Sequence, residues 1–283
     1  MMSQTRILGL AAAIFLFLGL TEAARSAGCG KTNTIRNQQY TANINGKQRQ
    51  YIVRLPDQYD NNKAHKLVFT FHALGGNAQQ IAQGQGGTLA WYGLPPLSNN
   101  SAIFVSPNGL NAGWANQGGE DITFIDNMVR TIEADLCVET SQRFATGFSY
   151  GGAISFAWAC ARGKEVRAIA PISSSQLSGC QGGNDPVAFI GQHGTSDSVL
   201  PTAGGRAMRD RFVRNNGCTP IQPEPQPNGG RHVKVDYQGC REGYPVSWII
   251  HNGDHNPSQS DQGSNQAFAP AYSWNFFNQF QPQ

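Results

Sequence analysis

Ser149 lies in the stretch Arg143-Phe144-Ala145-Thr146-Gly147-Phe148-Ser149-Tyr150-Gly151-Gly152. This reads as a short apolar strand, a Gly-x-Ser-x-Gly turn and the small-residue opening of a helix. A serine on such a turn is pushed outward in a strained backbone conformation. Its neighbours are glycines because a Cβ there would collide with the adjacent strand and helix. The turn also sets the backbone N–H of Tyr150 at a helix N-terminus, where it can face a developing oxyanion. The chemistry implied is acyl transfer. A serine hydroxyl is a poor nucleophile at neutral pH, so an imidazole must take its proton. A buried carboxylate must then fix the tautomer of that imidazole and stabilise the imidazolium. In a chain with 33 glycines the pentapeptide by itself is a common coincidence. Its weight depends on an acid and then a histidine following it, each at the end of a strand.

Both are present. Val187-Ala188-Phe189-Ile190 runs as a strand into a loop carrying Asp197, and Ser247-Trp248-Ile249-Ile250 runs into a loop carrying His255. In an open α/β sheet, reacting groups gather at the carboxyl ends of the strands. Asp185 precedes its strand and so lies at the wrong end. His251, nearer its strand than His255, reads as a hydrogen-bonded core histidine. Asp254 reads as solvated or capping. The second oxyanion donor belongs on the loop after an early strand, here His72-Ala73-Leu74-Gly75-Gly76, with the N–H of Leu74 assigned and that of Ala73 close behind. His72 braces that loop. Trp91, Trp114 and Trp158 could stack on a sugar or aryl group, although burial is the commoner use of such residues. Ala73 and Trp114 are the candidates for a substrate pocket.

The elements that must position these groups follow from periodicity. Strands are expected at 50–55, 67–71, 103–105, 166–172, 187–190, 233–237 and 246–250, and helices at 123–136, 152–161, 203–215 and 272–280. Glu120 and Asp121 fall at the start of the 123–136 helix, where its dipole favours negative charge. Strands alternating with helices indicate βαβ units, a mostly parallel central sheet with helices on both faces. Met1 to Arg6, the apolar run Ile7 to Leu20 and the small residues up to Gly28 have the form of a secretory signal peptide over 1–27, cleaved between 24 and 28. A single catalytic domain then spans 28–283, in a secreted, extracellular protein with no membrane association after cleavage. Only 14% of residues are charged, and the net charge of +3 is dispersed, which argues against nucleic acid. Cys29, Cys137, Cys160, Cys180, Cys218 and Cys240 form an even set in an exported chain and imply disulfides, with Cys218–Cys240 the one pairing singled out. The chain has no C-x-x-C pair and no H-E-x-x-H motif, so neither metal nor cofactor is expected. Asn99-Asn100-Ser101 is the glycosylation sequon, and Asn256-Pro257-Ser258 is blocked by its proline.

Several segments together resemble the fungal secreted feruloyl esterases. They are Gly28 to Lys31, Asn45 to Tyr51, Pro107 to Asn116 (PNGLNAGWAN), Gly118 to Thr123 (GGEDIT), the Ser149 turn, His193 to Pro201 and Trp274 to Phe277. These enzymes belong to a carbohydrate esterase group that also holds acetylxylan esterases, with polyhydroxybutyrate depolymerases as related enzymes. The resemblance covers nearly the whole mature chain. It implies an α/β-hydrolase fold and hydrolysis of hydroxycinnamate esters on plant cell-wall polysaccharides such as arabinoxylan or pectin, with small hydroxycinnamate esters also accepted and no protein partner. Nucleophile, acid and base carry over to Ser149, Asp197 and His255. The family's bulky aromatic after the oxyanion-loop histidine is replaced here by Ala73, which opens the site above the serine. Rival readings are an acetylxylan esterase or polyester depolymerase, and an inactive hydrolase fold used as a binding protein.

Overall fold

A computed structural model describes residues 24–282 of the chain. In order it contains β1 (Gln38–Ile44), β2 (Lys47–Arg54), β3 (His65–Phe71), α1 (Ala78–Gln83), α2 (Leu94–Ser98), β4 (Ala102–Pro107), α3 (Glu120–Asp135) and β5 (Val138–Phe148). There follow α4 (Tyr150–Ala161), β6 (Ala168–Ile172), β7 (Ala188–Gly194), α5 (Thr202–Asn215), β8 (Val233–Asp236), β9 (Val246–His251) and α6 (Ala269–Asn278). Nine strands make one sheet in the order β1-β2-β4-β3-β5-β6-β7-β9-β8. The run from β4 through β9 is parallel, and β1, β2 and β8 are antiparallel at the edges. This is the mostly parallel sheet expected from the alternating elements, in the α/β-hydrolase arrangement that the resemblance implies. Strand β1 and the short helices α1 and α2 were not foreseen. In β1 the polar sequence QQYTANI buries only Ile44, as an edge strand can.

The central strands read as unbroken apolar runs because both faces of the sheet are covered. In β3, Leu67, Phe69 and Phe71 pack with α3, α4 and α5, whereas Val68 joins the opposite layer with Phe144, Trp274 and Phe277. Helix α4 is buried over ten of its twelve residues, so it shows no polar face and sits directly behind the Ser149 turn. The acidic pair at the start of α3 does more than meet a dipole. Glu120 pairs with Lys47, and Asp121 pairs with Arg49 at 2.7 Å, both of the latter side chains being almost wholly buried. Burial pushes the Asp121 carboxyl up against the pull of Arg49. Two segments distant in sequence, β2 and α3, are thereby locked together.

All six cysteines are paired, as Cys29–Cys137, Cys160–Cys180 and Cys218–Cys240. Residues 1–23, most of the expected signal peptide, lie outside the described residues. Residues 24–27, inside the expected cleavage window of 24–28, make bonds to the rest of the fold. The buried Ser26 hydroxyl donates to Leu136 O (2.6 Å) and accepts the N–H of Val138 (2.8 Å), while Ala24 O accepts the N–H of Thr140 (2.8 Å). Asn99 is exposed in a left-handed turn after α2. No helix among the described residues is long and apolar enough to cross a membrane.

Candidate active site

Strand β5 ends at Phe148 and α4 begins at Tyr150, leaving Ser149 alone on the turn with φ 55° and ψ −118°. That left-handed conformation is strained for a residue with a Cβ, and three contacts hold it. The Ser149 N–H donates to Ile172 O at 2.9 Å, Ser174 Oγ donates to Ser149 O at 2.6 Å, and the N–H of Phe148 donates to the Tyr92 hydroxyl at 3.0 Å. A Cβ on Gly147 would overlap the backbone of Gly151, and one on Gly151 would overlap the Phe71 carbonyl. The glycines are therefore required by the close passage of β3, β5 and α4. Tyr150 is the first residue of α4, so its N–H has no partner within the helix.

The loops after β7 and β9 bring Asp197 and His255 together. His255 Nδ1 lies 2.8 Å from Asp197 Oδ2, which puts the proton on Nδ1 and leaves Nε2 as the basic lone pair. The imidazole packs on Phe148, ring centroids 4.4 Å apart, directly beside the serine. Among the described residues Ser149 Oγ has no hydrogen-bond partner, and catalytic bonds commonly tighten only when substrate binds. Asp197 has a fully buried side chain. Burial pushes its carboxyl up, but the bond from His255 and the N–H groups of Leu200 (2.7 Å) and Val199 (3.0 Å) together hold it below the usual carboxylate range. Asp185 stands before β7, at the far end of that strand. His251 is buried with Nδ1 accepting the Gly253 N–H at 3.1 Å, and burial lowers it to about 4, so it is neutral and faces the core.

The loop after β3 offers the other donors. Gly75 N–H is taken by Ala112 O (2.8 Å) and Gly76 N–H by Ala73 O (3.0 Å). Among the described residues, the N–H groups of Ala73 and Leu74 have no internal acceptor. His72 braces this loop from below. Its Nδ1–H donates to Ala73 O (2.7 Å), its Nε2 accepts the Gly109 N–H (2.9 Å), and burial lowers it to about 4. One expectation is corrected. Trp114 is completely buried beneath the loop, with its indole N–H on His72 O at 2.9 Å, so it supports the loop and cannot line a substrate pocket. Trp91 and Trp158 are likewise buried. Ala73 remains partly exposed at the mouth of the site.

Two supporting residues, Tyr92 and His193, escaped the sequence reading. Tyr92 donates to Phe71 O (2.7 Å) while accepting from Phe148, so one hydroxyl ties the oxyanion strand to the serine turn. His193 Nε2 sits 2.8 Å from Leu200 O and 3.1 Å from Asp197 Oδ2, a second brace on the acid. Asp254, expected to be solvated or capping, accepts from the N–H and hydroxyl of Ser198 (both 2.8 Å) and from the His255 N–H (2.7 Å), tying the acid loop to the base loop. The spacing of Tyr92 gives no hint of its role. The closeness of His193 to Asp197 in a strand-end loop is the only local signal for the second. Among the described residues no group of three His, Cys, Asp or Glu side chains is placed to hold a metal ion.

No family model matches the chain. It is 57% identical over 268 residues to feruloyl esterase D of Neurospora crassa, covering 92% of each chain. It is 47% identical over 255 residues to feruloyl esterase C of Emericella nidulans, covering 90% of this chain and 91% of that one. Its fold is also similar to that of the acetyl xylan esterase from Aspergillus awamori, with a TM-score of 0.61 at 14% identity, over 85% of this chain and 99% of that one. A strained serine turn, an imidazole–carboxylate pair on later strand-end loops and this degree of identity over nearly the full length lead to one assignment: the chain belongs to the feruloyl esterase family.

Proposed function

We propose that the chain is a secreted serine esterase releasing ferulic and related hydroxycinnamic acids from plant cell-wall polysaccharides, in two steps on Ser149. His255 Nε2 takes the Ser149 proton as Oγ attacks the ester carbonyl, and Asp197 stabilises the imidazolium that forms. The N–H groups of Tyr150 and Leu74, or of Ala73 in place of Leu74, hold the tetrahedral oxyanion. His255 returns the proton to the leaving sugar oxygen, which departs as the alcohol and leaves the acyl group on Ser149. Water, deprotonated by the same imidazole, then attacks the acyl-enzyme. The acid leaves and Oγ regains its proton. The small side chain of Ala73 leaves room above the serine for a planar aryl acyl group. The leader is removed at the Ala24 end of its expected window, since Ser26 is packed into the fold, and Asn99 is exposed for glycosylation.

The observation that carries the reading is the 2.8 Å bond between His255 and Asp197 beside the strained Ser149 turn, in a chain of this family. The test compares methyl ferulate with an acetyl ester, using the wild type and Ser149→Ala. Faster turnover of methyl ferulate, abolished in Ser149→Ala, is expected. Faster turnover of the acetyl ester would overturn the feruloyl assignment, and activity surviving in Ser149→Ala would overturn the mechanism.

A further inference from the structure

Opposite Ser149, at the amino ends of the strands, lies a cation that no described residue neutralises. Arg167 immediately precedes β6, and its backbone N–H donates to Arg143 O at 2.8 Å. Its guanidinium carbon stands 4.0 Å from the centre of the Phe280 ring and 5.4 Å from that of Tyr244. Ring contact engages the face of a guanidinium, whereas its five N–H donors lie in the plane. Among the described residues no side-chain hydrogen bond or ion pair engages those donors, and Nε is buried without an acceptor. Arg49, Arg143, Arg162, Arg206 and Arg209, by contrast, each pair with a carboxylate. Leaving donors of a partly buried guanidinium unmet is costly, and a bidentate carboxylate is the group that best meets them.

Arg167 lines a cavity of about 570 Å³, a volume within the usual range for a ligand site. Gln238, Gln279 and Gln281 line the same cavity; the amide nitrogens of Gln238 and Gln279 donate to Asp236 O and Phe276 O, which leaves their amide oxygens as acceptors for hydroxyl groups, and Arg241 and Glu242 add one charge of each sign there. Tyr237, Pro245 and Gln279 also border an adjoining cavity of about 360 Å³ that holds Lys234, Asp236 and Tyr272, so a groove continues past the first site. Rings beside amides and one free cation match a sugar that carries a carboxylate. We propose that this groove is a second, non-catalytic site for uronate-bearing polysaccharide, in which Arg167 receives the sugar carboxylate. The inference rests on the polysaccharide reading above. Ile172, at the other end of β6, accepts the Ser149 N–H, so the groove lies about 16 Å from the serine along the strand. A polymer held there raises the local concentration of its esters without entering the active site.

The test is affinity electrophoresis of the Ser149→Ala protein in about 0.15 M salt, where diffuse attraction to a weakly basic chain is screened. The gels contain glucuronoxylan, or the same polymer with its carboxyl groups reduced to alcohols. Retardation by the first and not by the second is expected. Arg167→Gln should weaken it at least tenfold, and Arg167→Lys, which keeps the charge but loses the planar fork, should weaken it less. A surface control, Arg214→Gln, should leave it unchanged. Equal retardation by both polymers, or equal loss in Arg167→Gln and Arg214→Gln, would overturn the proposal. The polymer comparison needs no folded Arg167 variant. In the Ser149-containing enzyme, Arg167→Gln should keep its kcat/KM on methyl ferulate. If the wild type fails on methyl ferulate, the functional reading falls. If it succeeds while retardation ignores the carboxyl groups, only the groove falls.

Discussion

The two halves of the site are built from different materials. Around Ser149 the geometry is set mainly by close backbone packing. Gly147 and Gly151 let β5, α4 and β3 pass so closely that no Cβ fits, and the turn is held by the Ser149 N–H on Ile172 O, the Ser174 hydroxyl on Ser149 O and the Phe148 N–H on the Tyr92 hydroxyl. Around Asp197 and His255 the geometry is made of side-chain hydrogen bonds between loops that are otherwise exposed. Asp254 joins Ser198 to His255, and His193 and two N–H groups steady Asp197. Steric exclusion is all-or-none, whereas a set of polar ties loosens by degrees and responds to protons. The nucleophile half should therefore fail abruptly and the acid–base half gradually.

The sharpest way to separate the halves is Asp197→Asn, which keeps the shape but removes the charge. It should lower kcat about 10⁴-fold while the melting temperature of the variant stays close to that of the wild type. Gly151→Ala should do the reverse. Its Cβ meets the Phe71 carbonyl, and a loss of about 4 kcal/mol or more, read from denaturant midpoints, is expected in place of a folded enzyme with reduced turnover. A folded, nearly active Gly151→Ala would break the contrast.

Protons probe the buried histidine behind the second half. His251 in the folded chain is lowered to about 4 from 6.5, chiefly by burial. The unfolded chain therefore takes up the proton first as pH falls. The corresponding stability is complete above pH 6.5 and is lost as pH drops toward 4, by up to about 3 kcal/mol. In His251→Asn, whose Oδ1 can replace Nδ1 as acceptor for Gly253, denaturant midpoints should fall less over that window. An unchanged slope would remove His251 from the account.

Tyr92→Phe touches both the serine turn and the oxyanion strand. It strands the Phe148 N–H and should cost about 1–3 kcal/mol of stability, with kcat falling more than KM changes. Asp254→Asn is expected to have the smallest effect. One tie between two exposed loops is weakened while the direct bond between His255 and Asp197 remains, so kcat/KM should fall less than tenfold. A loss as large as that of Asp197→Asn would mean that the two loops are held together by Asp254 alone.

The sequence was most legible where neighbours in the chain are also neighbours in space. The strand–turn–helix around Ser149 can be read from a dozen residues, and the strand-end positions of Asp197 and His255 follow from short apolar runs. The same local patterns failed at β1, whose polar residues suit an edge strand but show no strand periodicity, and at Trp114, since an aromatic that stacks on a ligand and one that is buried look alike in the sequence. Small residues that suit a peptidase left the end of the leader open anywhere from 24 to 28, so residues 24–27 could fall on either side. Their packing against β5 involves partners more than a hundred positions away, which no local pattern reports.

By itself, then, the amino-acid order determined most of the elements, the sheet type and the succession of a serine, an aspartate and a histidine at strand ends, since each depends on periodicity over a few turns or strands. The tertiary structure brought His255, the histidine chosen from the sequence, to Asp197 across 58 positions of chain, and it alone decided that Trp114 and Tyr92 support the loops from beneath. It also left Arg167 with stacked rings and no acceptor. The physical reason is the same in each case. A hydrogen bond or a close contact is set by distances of about 3 Å between loops whose spacing is fixed only when the whole sheet has closed its packing.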